Sequence, residues 1–583
     1  MRAHCPLIAA TVRVEQVSSD PRRVAQFFVA GLLHTFRRQT LAVSHGGVMN
    51  PVLRTAVLVI GLSSLIAAFP TAAHDDGIEK LGTVRFPTSC SPAVQQQFER
   101  AVALLHSFWF SEGLKAFGAI AQADPGCAMA HWGTAMLAWG NPFTWPPAPA
   151  ALAGGLAAVE KAKAAQAKTQ RERDYIGAVE AFYKDSDNVE HRTRALAYVK
   201  AMEQLAQRYP EDTEASVFYG LALDVTALPT DKTYANQLKA AAILEKVFAA
   251  QPDHPGVAHY LIHSYDYPPI AEQGLPAARR YASIAPSASH ALHMPGHIFT
   301  RRGLWDESIE TNLRSAAAAQ SHFDSLHALD YLEYAYLQQA RDGDAKGVRD
   351  QINAITKVTP EHFVTAYALA AIPSRYALER GRWADAANVS PQPAERAFPW
   401  EKFPQSLAVM VYARALGAAR SGDAPSVRKG IDHLQSLRED MIKAKVPYWP
   451  QQADIQIKIA SAWAVFAEGN KQEALKLMRE GADMEDASEK HPVTPGHVVP
   501  ARELLGDMLL ELNQPALALK EFQASHKIEP GRFRGLLGAA RAAELSGDRA
   551  KARGYYADLL RLTAKSDGER PELARAKEFL AKN

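Results

Sequence analysis

Two histidine pairs recur at one fixed interval. His259 and His263 lie in HPGVAHYLIHSYD, His293 and His297 lie in HALHMPGHIF, and each member of the second pair stands 34 residues beyond its counterpart in the first. An interval of about 34 residues is the length of one helix-turn-helix unit in a stacked array, where equivalent positions of neighbouring units lie side by side. Within each pair the spacing is i, i+4, which puts both imidazoles on one face of one helix. Such a chain is constrained to fold as an array of helical hairpins, with four imidazoles on a common wall.

Composition points the same way. A chain of 583 residues is too long for one ordinary core, yet no abrupt change of composition separates two or three compact domains, and a solenoid resolves the conflict. Ala-rich segments and 22% charged residues suit solvated helices, while alternating β-branched runs are almost absent. The expected class is all-α. Charge is balanced, with 65 Lys and Arg against 63 Asp and Glu, so the net basic field that nucleic-acid binding needs is missing.

The N-terminus reads as an address. From Met49 the order MNPVLRTAVLVIGLSSLIAAFPTAAHDD gives a positive end at Arg54, an apolar stretch from Ala56 to Ala68 and the small-residue exit Thr71-Ala72-Ala73. That order is a secretory signal peptide, here residues 49–73, and residues 1–48 before it read as an upstream start-site extension. The mature chain is expected to begin near His74, to be soluble and to reside in a periplasm or outside the cell. No later segment reaches about 18 continuous apolar residues, so no integral membrane segment is expected. The mature chain then holds Cys90 and Cys127, each just before a predicted helix, and an even pair in an exported protein reads as a disulfide.

Small residues, an aromatic residue and a proline recur in phase along the chain. Counting back from Pro530 gives Gly506, Ala518 and Phe522; the next unit gives Ala540, Gly547, Ala552 and Tyr556. Pro286 is preceded by Gly274 and followed by Gly296, Gly303 and Trp305, and Pro125 is preceded by Ala101, Gly113 and Phe117. Small side chains at these places let paired helices approach closely. On these residues the chain resembles the tetratricopeptide repeat superfamily over nearly its whole mature length. The blocks SCSPAVQQQFERAVALLHSFWF and HPGVAHYLIHSYDYPPIAEQG are similar to an uncharacterised subgroup of exported bacterial repeat proteins. The resemblance implies a right-handed superhelical solenoid, with an N-terminal lobe over 74–385, a Pro-rich break at 386–405 and a C-terminal lobe over 406–583. Two further breaks, GNPFTWPPAPA at 140–150 and KHPVTPGH at 490–497, cannot be helix interior, and Phe143 and Trp145 of the first are placed to cap one end of a groove.

In such solenoids, positions 5, 9 and 13 of the first helix face the concave groove. That implies groove positions for His259, His263, His293 and His297, for His106, and for Arg375. One further period leads to His327 and Tyr331, where the register is open because Gly343 offsets the following unit. His290 reads as a cap-region side chain. Pro295, between His293 and His297, reads either as a bend or as the first residue of a shortened helix.

Two readings follow. The first is a preformed concave groove that binds a peptide, a protein segment or a small ligand through His259, His263, His293, His297, Tyr331, Arg375 and His106. The second is a metal-binding protein or metal-dependent enzyme in which His259, His263, His293 and His297 are ligands, with copper or zinc as the ions that imidazole suits. Asp266, Asp330 and Glu333 are the acids nearest in sequence to orient those imidazoles. No HExxH, P-loop, dinucleotide fingerprint or CxxC pair is present, and no catalytic residue is assigned. A scaffold without any ligand site is the third option.

Overall fold

The computed structural model describes residues 79–144, 146–393, 397–568 and 570–582. The leader read at 49–73, the extension at 1–48 and Trp145 lie outside the described residues. Residues 79–583 form one compact unit.

Helical hairpins succeed one another along it. The first are α1 (Gln95–His106) with α2 (Phe110–Ala123), α3 (Ala128–Ala138) with α4 (Pro149–Ala164), α5 (Gln170–Tyr183) with α6 (His191–Arg208), and α7 (Thr213–Thr226) with α8 (Ala235–Ala250). Next come α9 (Pro255–Tyr265) with α10 (Leu275–Ile284), the split helix α11 (Ser289–His293) and α12 (Pro295–Arg301) with α13 (Trp305–Ala318), and α14 (His322–Gln338) with α15 (Asp342–Asn353). Then α16 (Phe363–Leu378) pairs with the short α17 (Trp383–Ala387), α18 (Pro404–Ser421) with α19 (Ala424–Lys443), and α20 (Trp449–Ala467) with α21 (Lys471–Asp486). Finally α22 (Ala501–Glu511) pairs with α23 (Pro515–Ile528), α24 (Phe533–Leu545) with α25 (Arg549–Leu562), and α26 (Pro571–Lys582) ends the described chain. No strand occurs among the described residues. The fold is the all-α solenoid of helix-turn-helix repeats.

Local chemistry explains the hairpins. Thr169 closes a capping box with Glu172 at the start of α5, and Asp212, Ser321, Asn470 and Asp548 accept backbone N–H groups at other helix starts. Turns between paired helices need a left-handed residue, supplied by Gly303 (φ 66°) and Gly547 (φ 79°) among others. The in-phase small residues are where helices touch. A Cβ added at Gly506 would meet the Phe522 ring at 2.6 Å and one at Gly538 would meet it at 2.2 Å, so both glycines are required by the same aromatic residue.

The apolar core of the described residues falls into one cluster ending at Phe299, a second beginning at Trp305 and a small third around Phe533, Leu536 and Tyr556. The Pro-rich stretch 386–405 lies within the second: Phe398 and Trp400 are buried in it, and the Trp400 indole N–H donates to the Pro393 carbonyl at 3.0 Å. Late elements pack back on early ones. Trp305 donates to the Gly531 carbonyl at 2.7 Å, the Phe533 N–H donates to Gln338 at 3.0 Å, and the buried Arg532 pairs with Glu503 at 2.7 Å and with Glu379. Among the described residues no helix is long and apolar enough to cross a membrane.

Cys90 and Cys127 are joined by a disulfide with Cα atoms 4.8 Å apart, tying the segment before α1 to the start of α3. The bond closes a loop with a sequence separation of 37. Closing a loop of that size restricts the unfolded chain by about 2–4 kcal/mol. A Cys90→Ser/Cys127→Ser variant is expected to lose about that much unfolding free energy, read as a lower urea midpoint with an unchanged helical circular-dichroism spectrum. An unchanged midpoint would refute the expectation.

Candidate metal centre

Successive first helices of neighbouring hairpins deliver histidines to one place. Helix α9 carries His259 and His263, α11 carries His290 and His293, α12 carries His297, and α14 carries His327. All six are buried, with His263 and His290 the most exposed at 7%. Ring centroids lie 5.0 Å apart for His259 and His263, 5.0 Å for His293 and His297, and 4.1 Å for His293 and His327.

Pro295 decides how α11 and α12 join. It is the first residue of α12, and Met294 before it keeps right-handed helical torsions (φ −53°, ψ −37°). The chain loses a helical hydrogen bond without turning away, so His293 and His297 stay on one side with Nε2 atoms 3.1 Å apart. His290 is not a cap-region side chain. Its Nε2 lies 3.2 Å from His259 Nε2, because a residue three before His293 shares its helix face. His327 also belongs to the cluster, so the 34-residue period extends to a third helix.

Hydrogen bonds fix which nitrogen of several rings carries the proton. His259 donates from Nδ1 to the His106 carbonyl at 2.6 Å, and His293 donates from Nδ1 to the Asn312 side-chain oxygen at 2.7 Å. The Asn312 amide is itself oriented by donating to the Ser308 carbonyl at 2.7 Å. His297 donates from Nδ1 to Asp266 at 3.0 Å. Burial pulls the pKa of His259 down to about 3, and burial with neighbouring imidazoles holds His263, His290, His293 and His327 well below the usual histidine value. Burial also lowers His297, against the pull of Asp266. Burial favours the neutral form of each ring, and in that form His293 and His297, whose Nδ1 atoms donate, turn bare Nε2 lone pairs toward each other. His263 Nε2 is buried with no hydrogen-bond partner.

The nitrogens sort into two triads. His259, His263 and His290 bring ligand atoms within 4.8 Å of one another, and so do His293, His297 and His327. Two nitrogens bound to one tetrahedral ion at 2.0–2.1 Å are separated by roughly 3.3 Å. The 3.1 and 3.2 Å separations are therefore of chelating size.

Asp266 orients the site, whereas Asp330 and Glu333 do not. Those two acids pair with the buried Arg375 at 2.7 and 3.2 Å. Arg375 is thus held by the chain's own carboxylates through Nη1, while its Nε and Nη2 are buried with no hydrogen-bond partner. His106 also stands apart: its Nε2 donates to Glu214 at 2.8 Å, and His254 donates to the other Glu214 oxygen at 2.8 Å. Despite burial, the two imidazoles hold Glu214 at about 2, so this trio is a saturated buried network. Tyr331 does reach the centre, its hydroxyl 3.2 Å from His297 Nδ1 while donating to the Thr494 carbonyl at 3.0 Å.

The inner wall is covered by the protein itself. Phe143 from the 140–150 loop stacks on His263 at 3.9 Å, and Lys490 reaches Asp266 at 2.9 Å. The stretch KHPVTPGH, read from sequence only as a break, is this cover. Phe108, held at φ 53° between α1 and α2, stacks on His290 at 5.4 Å. Beside it lies a small pocket with room for about one water molecule, lined by Phe108, Ser289, His290, Gln320 and Asp324 among others.

No protein-family model matches the chain, and no curated protein matches it. Among solved structures it is similar to a human IFIT1 dimer with m7Gppp-AAAA, at 14% identity over 74% of this chain and 90% of that one, with a TM-score of 0.37. A Naa15/Naa10 structure bound to HypK-THB aligns at 12% identity over 83% of this chain and 73% of that one, with a TM-score of 0.23. At those scores neither alignment carries an argument about this protein. The fold assignment stands on the helix pairing described above.

The cover also has a titrating clasp. His497 Nδ1 donates to Glu529 at 2.8 Å with Glu485 at 4.0 Å, and although burial lowers it, these carboxylates raise His497 to about 9. A pKa raised on folding contributes stability that is complete below the unfolded value of about 6.5 and is lost as pH rises through the folded value. The thermal midpoint of the wild type is expected to fall between pH 6.5 and 9.5 relative to that of His497→Gln, which lacks this linkage. Parallel midpoints across that range would disprove the assignment.

Proposed function

We propose that this protein binds transition-metal ions through two three-histidine sites, His259/His263/His290 and His293/His297/His327. One observation carries the reading. His293 and His297 both commit their Nδ1 protons to fixed acceptors, so two bare Nε2 lone pairs face each other at 3.1 Å in a buried place. Facing acceptors repel, and the arrangement becomes favourable when a cation sits between them. Acceptors on the outer nitrogens, namely Asp266, Asn312 and the His106 carbonyl, match the partners that set tautomer and basicity in histidine metal sites.

Six neutral imidazoles without thiolate or carboxylate suit zinc or copper better than calcium or magnesium. With the leader read at 49–73, the binding takes place in a periplasmic or secreted setting. Peptide capture by a concave groove finds less support, since the side chains that would line it are buried beneath Phe143 and the 490–497 stretch.

Purified protein loaded with Zn(II) or Cu(II) and then dialysed is expected to retain about two equivalents, one per triad. His293→Ala/His297→Ala and His259→Ala/His263→Ala are each expected to lose about one equivalent while keeping the helical spectrum. Wild-type retention below about a tenth of an equivalent sinks the proposal.

A further inference from the structure

The nearest rings of the two triads are about as close as the most widely spaced pair within one of them. Across the divide, ring centroids of His263 and His297 lie 5.8 Å apart and those of His290 and His293 6.0 Å. Within one triad, His297 and His327 are 6.1 Å apart. With rings of the two triads that close, ions held by them would be neighbours.

Charge then becomes decisive. The six ligand side chains are neutral, and among the described residues Asp266 is the carboxylate hydrogen-bonded to any of them. That carboxylate is already shared with Arg301 at 2.8 Å and Lys490 at 2.9 Å. Glu489, beyond them, pairs with Lys232 at 2.7 Å and lies 3.9 Å from Arg301. Asp324 lines the outer pocket, where Ser321 donates to it at 2.8 Å. Two divalent ions would therefore bring four positive charges into a buried site whose own acids are committed elsewhere, a costly arrangement without an added anion. Each ion would also have three protein nitrogens and one coordination position left over.

A single ligand meets both needs. We infer that the two triads form one dinuclear centre that takes a small inorganic anion from solution as a ligand shared by both ions. The inference rests on the metal-binding reading above and adds the coupling of the two sites and the class of ligand between them. The small pocket beside Phe108 and His290 has room for about one water molecule, so it is far too small for a folded segment.

The test uses the full protein loaded with two equivalents of Cu(II), with azide as the probe. An anion shared by two Cu(II) ions lets their spins couple, so the integrated paramagnetic resonance signal is expected to fall well short of the copper found by elemental analysis. Azide is expected to saturate a new charge-transfer band at one per two coppers. Two bound coppers with full signal intensity, or azide binding independently at each copper, overturn the dinuclear inference while leaving metal binding intact. Absence of bound copper and zinc overturns both.

Discussion

Asp266 is the point at which the architecture closes. Its carboxylate accepts from His297, from Arg301 and from Lys490, so one residue after α9 joins α12 and a segment more than two hundred residues away. Although burial opposes ionisation, Lys490, Arg301 and His297 hold its pKa far below the usual carboxylate range. A buried carboxylate without those partners would cost several kcal/mol. The cations fix the acid, the acid fixes the His297 tautomer, and the tautomer leaves Nε2 free to point inward. The inner histidine layer inherits its order from that chain of bonds.

The solenoid makes such a layer easy to build. Stacked hairpins repeat one backbone geometry, so a side chain at a given repeat position meets its counterpart on the next unit without any special loop. Histidines on α9, α11, α12 and α14 exploit that regularity. The solenoid does not by itself shield them from water. Shielding comes from irregular pieces, namely Phe143 in the 140–150 loop, Phe108 in its left-handed turn and the 490–497 stretch.

This division explains what could be read from the sequence. The all-helical repeat class is legible because residues such as Gly506 and Phe522 carry a packing constraint that depends only on repeat phase. The His259/His263 and His293/His297 pairs are legible for the same reason, and His327 stands one further period on. His290 was hidden because its helix is interrupted at Pro295 and its position matches a cap. Arg375 and His106 satisfy the groove pattern, yet the partners that bury them, Asp330, Glu333 and Glu214, lie on other helices and follow from three-dimensional packing. The role of KHPVTPGH depends on long-range closure, and nothing in its local composition announces where it lands.

The cover has a bearing on the order of events while the chain is made. All six histidines fall between residues 259 and 327, whereas the stretch that closes over them begins at Lys490. At a synthesis rate of about 5–20 residues per second, the intervening length takes roughly ten to thirty seconds to emerge. For that interval the imidazole-bearing hairpins are made without their roof, and the histidine layer is closed only once the segment from Lys490 arrives.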